Sequence, residues 1–246
     1  MRRGPLESEI SGRKARTSHA QVVDELGREI IGGQYPVGAT LPGDLELAQR
    51  FKVSRTVLRE AMKTLAAKGL IVPRARIGTR VTPQNQWNLF DSDVLTWHFH
   101  RGVDQTFLKN LTEIRLAFEP FAAGLAAENA DGKDIAQLYQ LADEMGSPAH
   151  TPGTLAAADL KFHLAIAEAS RNPFMRTVGS LIEAALVGIF KLSSPSASEN
   201  ENRMAEVSAT HRRIVDAIAR RDREGAAQAM RDVIMAGRDR VTSVIA

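Results

Sequence analysis

The stretch VSRTVLREAMKTLAAKGL, residues 53–70, reads as one amphipathic helix. Ser54 suits its N-cap, where the hydroxyl accepts from a backbone N–H of the first turn. Val57, Leu58, Ala61, Leu65 and Ala66 recur at helical spacing and form an apolar stripe. Arg55, Arg59 and Lys63 stand four apart on the opposite face, with Thr56 beside the first and Glu60 the one acid among them. Like charges at that spacing repel by ~0.2–0.5 kcal/mol per pair. A helix carrying that cost either shows a cationic face to water or meets a polyanion. The helix by itself does not choose between the two.

Its surroundings do. Residues 1–82 hold 15 Lys/Arg and 8 Asp/Glu, a balance of +7, while residues 83–246 hold 17 and 21, a balance of −4. A basic first third on a mildly acidic remainder fits a nucleic-acid module joined to a part that does not touch nucleic acid. Upstream, residues 18–31 place Val22, Val23, Leu26, Ile30 and Ile31 on one face, a first helix stopped by Gly32-Gly33. After breakers at Pro36, Gly38, Pro42 and Gly43 comes a short second helix, residues 44–51. It would bury Leu45 or Leu47, with Ala48 and Phe51. Lys52-Val53 then forms a tight turn into the basic helix, the arrangement of a helix-turn-helix. Downstream, 70–72 and 79–82 are β-prone runs flanking a basic turn of Pro73, Arg74, Arg76 and Gly78. That is a two-stranded wing, with Gly78 allowing a tight backbone.

The whole chain has 246 residues, 43% hydrophobic and 25% charged, enough for one or two globular domains. Without cysteine there is no disulfide framework and no thiolate chemistry. No apolar run approaches the ~20 residues of a membrane span. Residues 1–17 read as a polar, flexible tail that lacks the apolar core of a secretory signal. The expected setting is cytoplasmic, with no membrane partner. Residues 83–103 are aromatic (Trp87, Leu89, Phe90, Val94, Leu95, Trp97, Phe99), with Asp91 placed to cap a short helix running to about Arg101. Almost no Lys or Arg accompanies these rings, which argues for a packed connector over a base-stacking platform.

From residue 104 to 246 the pattern is helical throughout. It gives about six helices, at 105–129, 132–145, 153–170, 173–192, 200–221 and 223–245. The fold class is therefore mainly α: an N-terminal winged helix-turn-helix and a C-terminal all-α antiparallel helical bundle. Two constellations in the bundle carry chemistry. Asp159 and His163 lie one turn apart with His211 on a later helix; they are either ordinary satisfied polar groups or ligands for a divalent, zinc-like ion. Arg115 sits among apolar residues with Glu113 and Glu119 nearby. It is either half of an internal ion pair with Glu119 or a bidentate clamp on an anionic ligand.

The segment from Leu41 to Val81, with its LP loop, SRT-x-x-RE core and final G-T-x-V, resembles the winged helix-turn-helix of the GntR family of bacterial transcription regulators. The resemblance implies that Ser54 and Thr56 contact backbone phosphate, that Arg55 and Arg59 contact guanine edges or phosphates, and that Arg76 and Gly78 contact DNA from the wing. Some members carry an arginine where this chain has Leu45, so that phosphate contact is missing. The connector is similar to that of the family subgroup that includes the galactonate operon repressor. Residues 104–246 look like the FCD effector domain of the family's FadR branch. There an Asp and three His typically hold a metal that helps bind a small carboxylate. Asp159, His163 and His211 match three of those positions, but the fourth, after Ala229-Met230-Arg231-Asp232, is Val233. Arg115 matches an arginine that contacts carboxylate effectors, with Glu119 beside it.

The pattern and the resemblance together imply a ligand-responsive, homodimeric repressor of a catabolic operon that binds operator DNA and is relieved by a small organic acid such as a sugar acid. It is not expected to be an enzyme. Two alternatives are a metal-dependent hydrolase built on Asp159, His163 and His211, and an architectural DNA binder without effector.

Overall fold

Thr17 opens the first helix by accepting from the backbone N–H of Ala20 at 3.2 Å, and α1 runs Ser18–Ile31. The structure, a computed structural model, describes residues 17–100, 105–179, 181–183 and 200–245. The tail expected over 1–17 thus lies outside the described residues, apart from the capping Thr17. The chain divides into two compact units, residues 1–104 and 105–246.

In the first unit, α2 spans Asp44–Phe51 and α3 spans Arg55–Ala67. Between them Lys52 turns left-handed at φ 53, and the Val53 N–H reaches the Ala48 carbonyl at 3.1 Å. Ser54 then caps α3 by accepting from Val57 N–H at 3.2 Å. The helix is shorter than the 53–70 reading. The Leu70 N–H returns to the Leu65 carbonyl at 3.1 Å and the Gly69 N–H to Ala66 at 2.9 Å, with Gly69 at φ +79. That closing motif buries Leu65 and Leu70 together.

Strand β1, Ile71–Arg74, pairs antiparallel with β2, Gly78–Val81, in the register Ile71↔Val81 to Arg74↔Gly78. Pro73, Arg74 and Gly78 are therefore strand residues and not turn residues. Pro73 is tolerated because a two-stranded ribbon consists only of edges. Leu26, Ile30, Leu47, Leu58, Leu65 and Leu70 are fully buried at the centre of the unit. Each such side chain contributes ~1.5–3 kcal/mol relative to exposure. Of the two candidates on α2, Leu47 is buried and Leu45 is exposed; Ala48 beside Leu47 is buried too, and Phe51, one turn on from Leu47, packs half-buried against the core.

The connector belongs to the same core. After a 3-10 turn at Gln84–Gln86, helix α4 spans Ser92–His100, capped by Asp91, whose Oδ1 accepts from the N–H groups of Asp93 and Val94. Trp87, Val94 and Trp97 join the cluster around Leu26. Trp97 lies so close to α1 that a Cβ on Gly27 would sit 2.4 Å from its ring. Its indole N–H donates to Asp24 at 2.9 Å. Arg101, the expected helix end, lies outside the described residues.

The second unit is all helical: α5 Gln105–Asn129, α6 Gly132–Glu144, α7 Pro152–Ala169, α8 Pro173–Thr177, α9 Asn200–Ala219 and α10 Arg223–Ile245. Helix α5 packs on α10, α7 and α9, and its core is rich in Ala, including Ala122, Ala123, Ala126, Ala127 and Ala130. Small residues let the backbones approach closely. The helix read over 173–192 is interrupted. Asn172 caps α8, but Val178 is a turn residue that ends it, and helical geometry resumes at Gly179 and is seen again at 181–183. The rest of that reading, 184–192, lies outside the described residues.

Candidate functional site

On the first unit, α3 turns Leu58, Ala61 and Leu65 into the core and leaves Ser54, Arg55, Thr56, Arg59 and Lys63 exposed. Lys63 donates to Glu60 at 2.9 Å. Among the described residues Arg55 and Arg59 form no ion pair, so the helix keeps two unneutralised guanidinium groups on one face. The wing adds Arg74 and Arg76, both exposed, with Arg76 held left-handed at φ 62. Gly78, at φ +104, has a steric reason of its own, since a Cβ there would lie 3.0 Å from Thr40 Cγ2. Arg80 turns back to donate to the Gly38 carbonyl at 2.9 and 2.6 Å, bracing the wing. The geometry is a basic helix beside a basic hairpin, suited to phosphate and base edges.

The second unit buries a cluster of charged groups. Helix α5 carries Arg115 and Glu119, α7 carries Asp159 and His163, and α9 carries His211; none of the five is more than 8% exposed. Arg115 Nη2 donates to Glu119 Oε2 at 3.3 Å, and its Nε donates to Oε1. Arg115 is thus in the internal ion pair, while Glu113 faces outward toward Lys109. Glu119 Oε2 also lies 2.5 Å from His163 Nδ1. His163 Nε2 is 3.4 Å and His211 Nε2 2.9 Å from Asp159 Oδ1. His211 Nδ1 is 2.7 Å from the Val207 carbonyl, which can only accept, so that nitrogen carries the hydrogen. His211 is therefore held at Nδ1 by the Val207 carbonyl, His163 faces Glu119 with Nδ1, and both turn Nε2 toward the same carboxylate oxygen. Phe162 walls the group edge-on, 5.0 Å from the His211 ring.

The electrostatics follow from burial and mutual contact. Burial pushes the Glu119 carboxyl up, but Arg115 and His163 outweigh it and hold it at about 2. Burial likewise pushes Asp159 up, and His163 and His211 hold it well below the usual carboxylate range. Burial pulls His163 down, and Glu119 and Asp159 raise it to about 9.

The three ligand atoms of Asp159, His163 and His211 lie within 4.8 Å of one another. Asp159 Oδ1, both His163 nitrogens and His211 Nε2 are buried and none is aligned in a hydrogen bond. Buried polar atoms that converge without hydrogen bonds call for a further partner. A divalent ion with N/O ligands fits this donor set. Val233 is buried among apolar neighbours and adds no ligand, leaving three from the protein. A small cavity beside Glu119 and His163, walled by Phe118, Ile166, Val178 and Met230, has room for about one water.

Residues 18–81 match the bacterial regulatory proteins of the gntR family, and residues 110–236 match the FCD domain. The galactonate operon transcriptional repressor of Escherichia coli K12 is 30% identical over 224 residues, 91% of this chain and 96% of that protein. YieP, an HTH-type transcriptional regulator of the same organism, is 35% identical over 216 residues, 85% of this chain and 88% of its own. The chain belongs to the GntR family. This GntR protein is a DNA-binding transcriptional regulator with an FCD domain. Among solved structures, the Listeria monocytogenes protein Lar shares the fold at a TM-score of 0.64 and 20% identity, covering 94% of this chain and 99% of its own. Both relatives are named as transcriptional regulators. Among the described residues no helix is long and apolar enough to cross a membrane.

Sequence reasoning passed over the outer partners of the cluster. The Val207 carbonyl has no side-chain signature. Glu119 was singled out as a neighbour of Arg115, and its second contact, to a histidine 44 positions on, leaves no trace in local spacing.

Proposed function

We propose that this GntR protein represses a catabolic operon as a homodimer, and that a small carboxylate such as a sugar acid binds the helical unit and releases the operator. The observation that carries this reading is the convergence of five buried ionisable side chains in the core of the helical bundle, beside a cavity. Burying that many charges costs stability against an apolar core, so their retention is better explained by binding than by folding. In this reading Asp159, His163 and His211 hold a divalent, zinc-like ion. Bound there, the ion supplies positive charge and open coordination positions for an oxygen ligand.

Arg115 then clamps the effector carboxylate, exchanging its pairing with Glu119 for pairing with the ligand. Because the present cavity admits about one water, side chains around it must move to admit the acid. The acid shifts the population of DNA-binding states by as much as its affinity differs between them. On the DNA side, Ser54 and Thr56 take phosphate at the start of α3, Arg55, Arg59 and Lys63 face bases or phosphates, and Arg76 and Gly78 meet the backbone from the wing. Two copies are needed because one such helix reads too few base pairs to be specific. The name of the E. coli relative makes galactonate the first acid to try.

The test is a gel-shift titration on DNA from upstream of the protein's own gene, with and without D-galactonate and other sugar acids. Specific retardation that at least one acid reverses supports the reading. Binding that no carboxylate alters would remove the sensing half of it.

A further inference from the structure

The recognition helix does not end freely. Lys68, its C-cap residue, has a side chain only 11% exposed, and its ammonium lies 2.7 Å from both oxygens of Asp91 and 2.8 Å from Asp93 Oδ2. The same ammonium sits 5.8 Å from the centre of the Trp97 ring. Asp91 Oδ1 also accepts the first N–H groups of α4, so one carboxylate closes α3 and opens α4. Trp97 in turn is fixed to α1 through Asp24 and against Gly27. The backbone repeats the link: Asn88 N–H donates to the Lys68 carbonyl at 3.0 Å, and a Cβ on Gly69 would collide with the Gln86 carbonyl at 2.0 Å.

A half-buried cluster of one ammonium and two carboxylates is a poor way to gain stability, since apolar side chains of similar volume serve that purpose better. What such a cluster supplies is direction: three short contacts to one ammonium define how α3 is set against α4. The ammonium is turned away from water, so it is not a phosphate contact of the kind Arg55 and Arg59 present.

We propose that Lys68 is a positioning residue for DNA reading, fastening the end of the recognition helix to the connector through Asp91 and so setting the preference for operator over other DNA. Arg55 and Arg59 stand on the helix that this clamp orients. A tilt of α3 in the groove displaces base contacts that need alignment, while phosphate contacts by long, flexible side chains survive it.

The test uses the full chain and an operator selected by the wild-type protein from a pool of random duplexes, which makes it independent of any effector. Lys68→Met removes the charge at similar length. Asp91→Asn keeps a good N-cap while removing the carboxylate, so α4 still forms. Fluorescence anisotropy gives Kd for the operator and for a scrambled duplex of equal length, at several salt concentrations and well below each variant's melting temperature. The expected result is a drop of at least fivefold in the ratio of operator to scrambled affinity for Asp91→Asn, and for Lys68→Met wherever it folds, with the salt dependence unchanged. A ratio within fivefold of wild type in Asp91→Asn overturns the proposal. So does a salt slope in Lys68→Met lowered by about one, which would make Lys68 a phosphate contact.

Discussion

Replacing Glu119 by alanine removes the carboxylate that serves both Arg115 and His163, leaving a guanidinium buried without its partner. Its magnitude can be reached from two directions. The Glu119 carboxyl moves from an ordinary 4.5 to about 2 on folding, a difference of about 3 kcal/mol at neutral pH. Breaking a buried ion pair by truncating one side costs ~3–5 kcal/mol in proteins generally. For a unit of this size that corresponds to a fall of roughly 10 °C in melting temperature. The sign with pH comes from the depressed carboxylate. Its stabilisation is fully present above 4.5 and is lost as pH falls through the folded value near 2. The wild type should lose about 2 kcal/mol from this group between pH 5 and pH 3, and Glu119→Gln should show none of that component. Urea unfolding followed by circular dichroism at both pH values measures it. A Glu119→Ala variant destabilised by less than about 1 kcal/mol, or an equal acid loss in Glu119→Gln, would refute the buried-pair account.

Arg55→Ala and Arg59→Ala should each weaken operator binding by ~1–3 kcal/mol where the side chain reads a base, with the fold intact by circular dichroism; unchanged affinity would remove the role. Gly27→Ala places a methyl 2.4 Å from the Trp97 ring and should destabilise the first unit by ~1–3 kcal/mol, and an unaltered melting curve would contradict that packing. His163, raised to about 9, must shed a proton before it can ligate an ion. Zinc affinity should therefore rise about tenfold per pH unit between pH 6 and pH 8, and calorimetry in two buffers of different ionisation heat should count proton release. A zinc affinity flat across that range would count against His163 as a ligand, as would unchanged zinc content in His163→Ala.

Much of the first unit was legible because its signals are local. Ser54 capping α3, the Leu58–Ala61–Leu65 stripe and the Lys52-Val53 turn are each settled within a few residues. The rest lay where local spacing is silent. Leu45 and Leu47 are equally apolar, and only the tilt of α2 against the core buries Leu47. The end of α3 moved from Leu70 to Ala67 because Gly69 serves both as a helix stop and as a close approach to Gln86. In the second unit, Asp159 and His163 show their shared face in their spacing, yet the contacts that orient His163 and His211 come from α5 and from a backbone carbonyl. Lys68 carries no local signature that sets it apart; its partners are 23 and 25 positions away, so only the fold reveals them.

The most direct measurement titrates D-galactonate and related sugar acids against the operator complex, with wild type and Arg115→Ala in parallel, followed by fluorescence anisotropy. An acid should release the wild-type protein, while Arg115→Ala should bind the operator as tightly and stay bound. Release of both at the same acid concentration, or of neither by any carboxylate, would contradict effector sensing through Arg115.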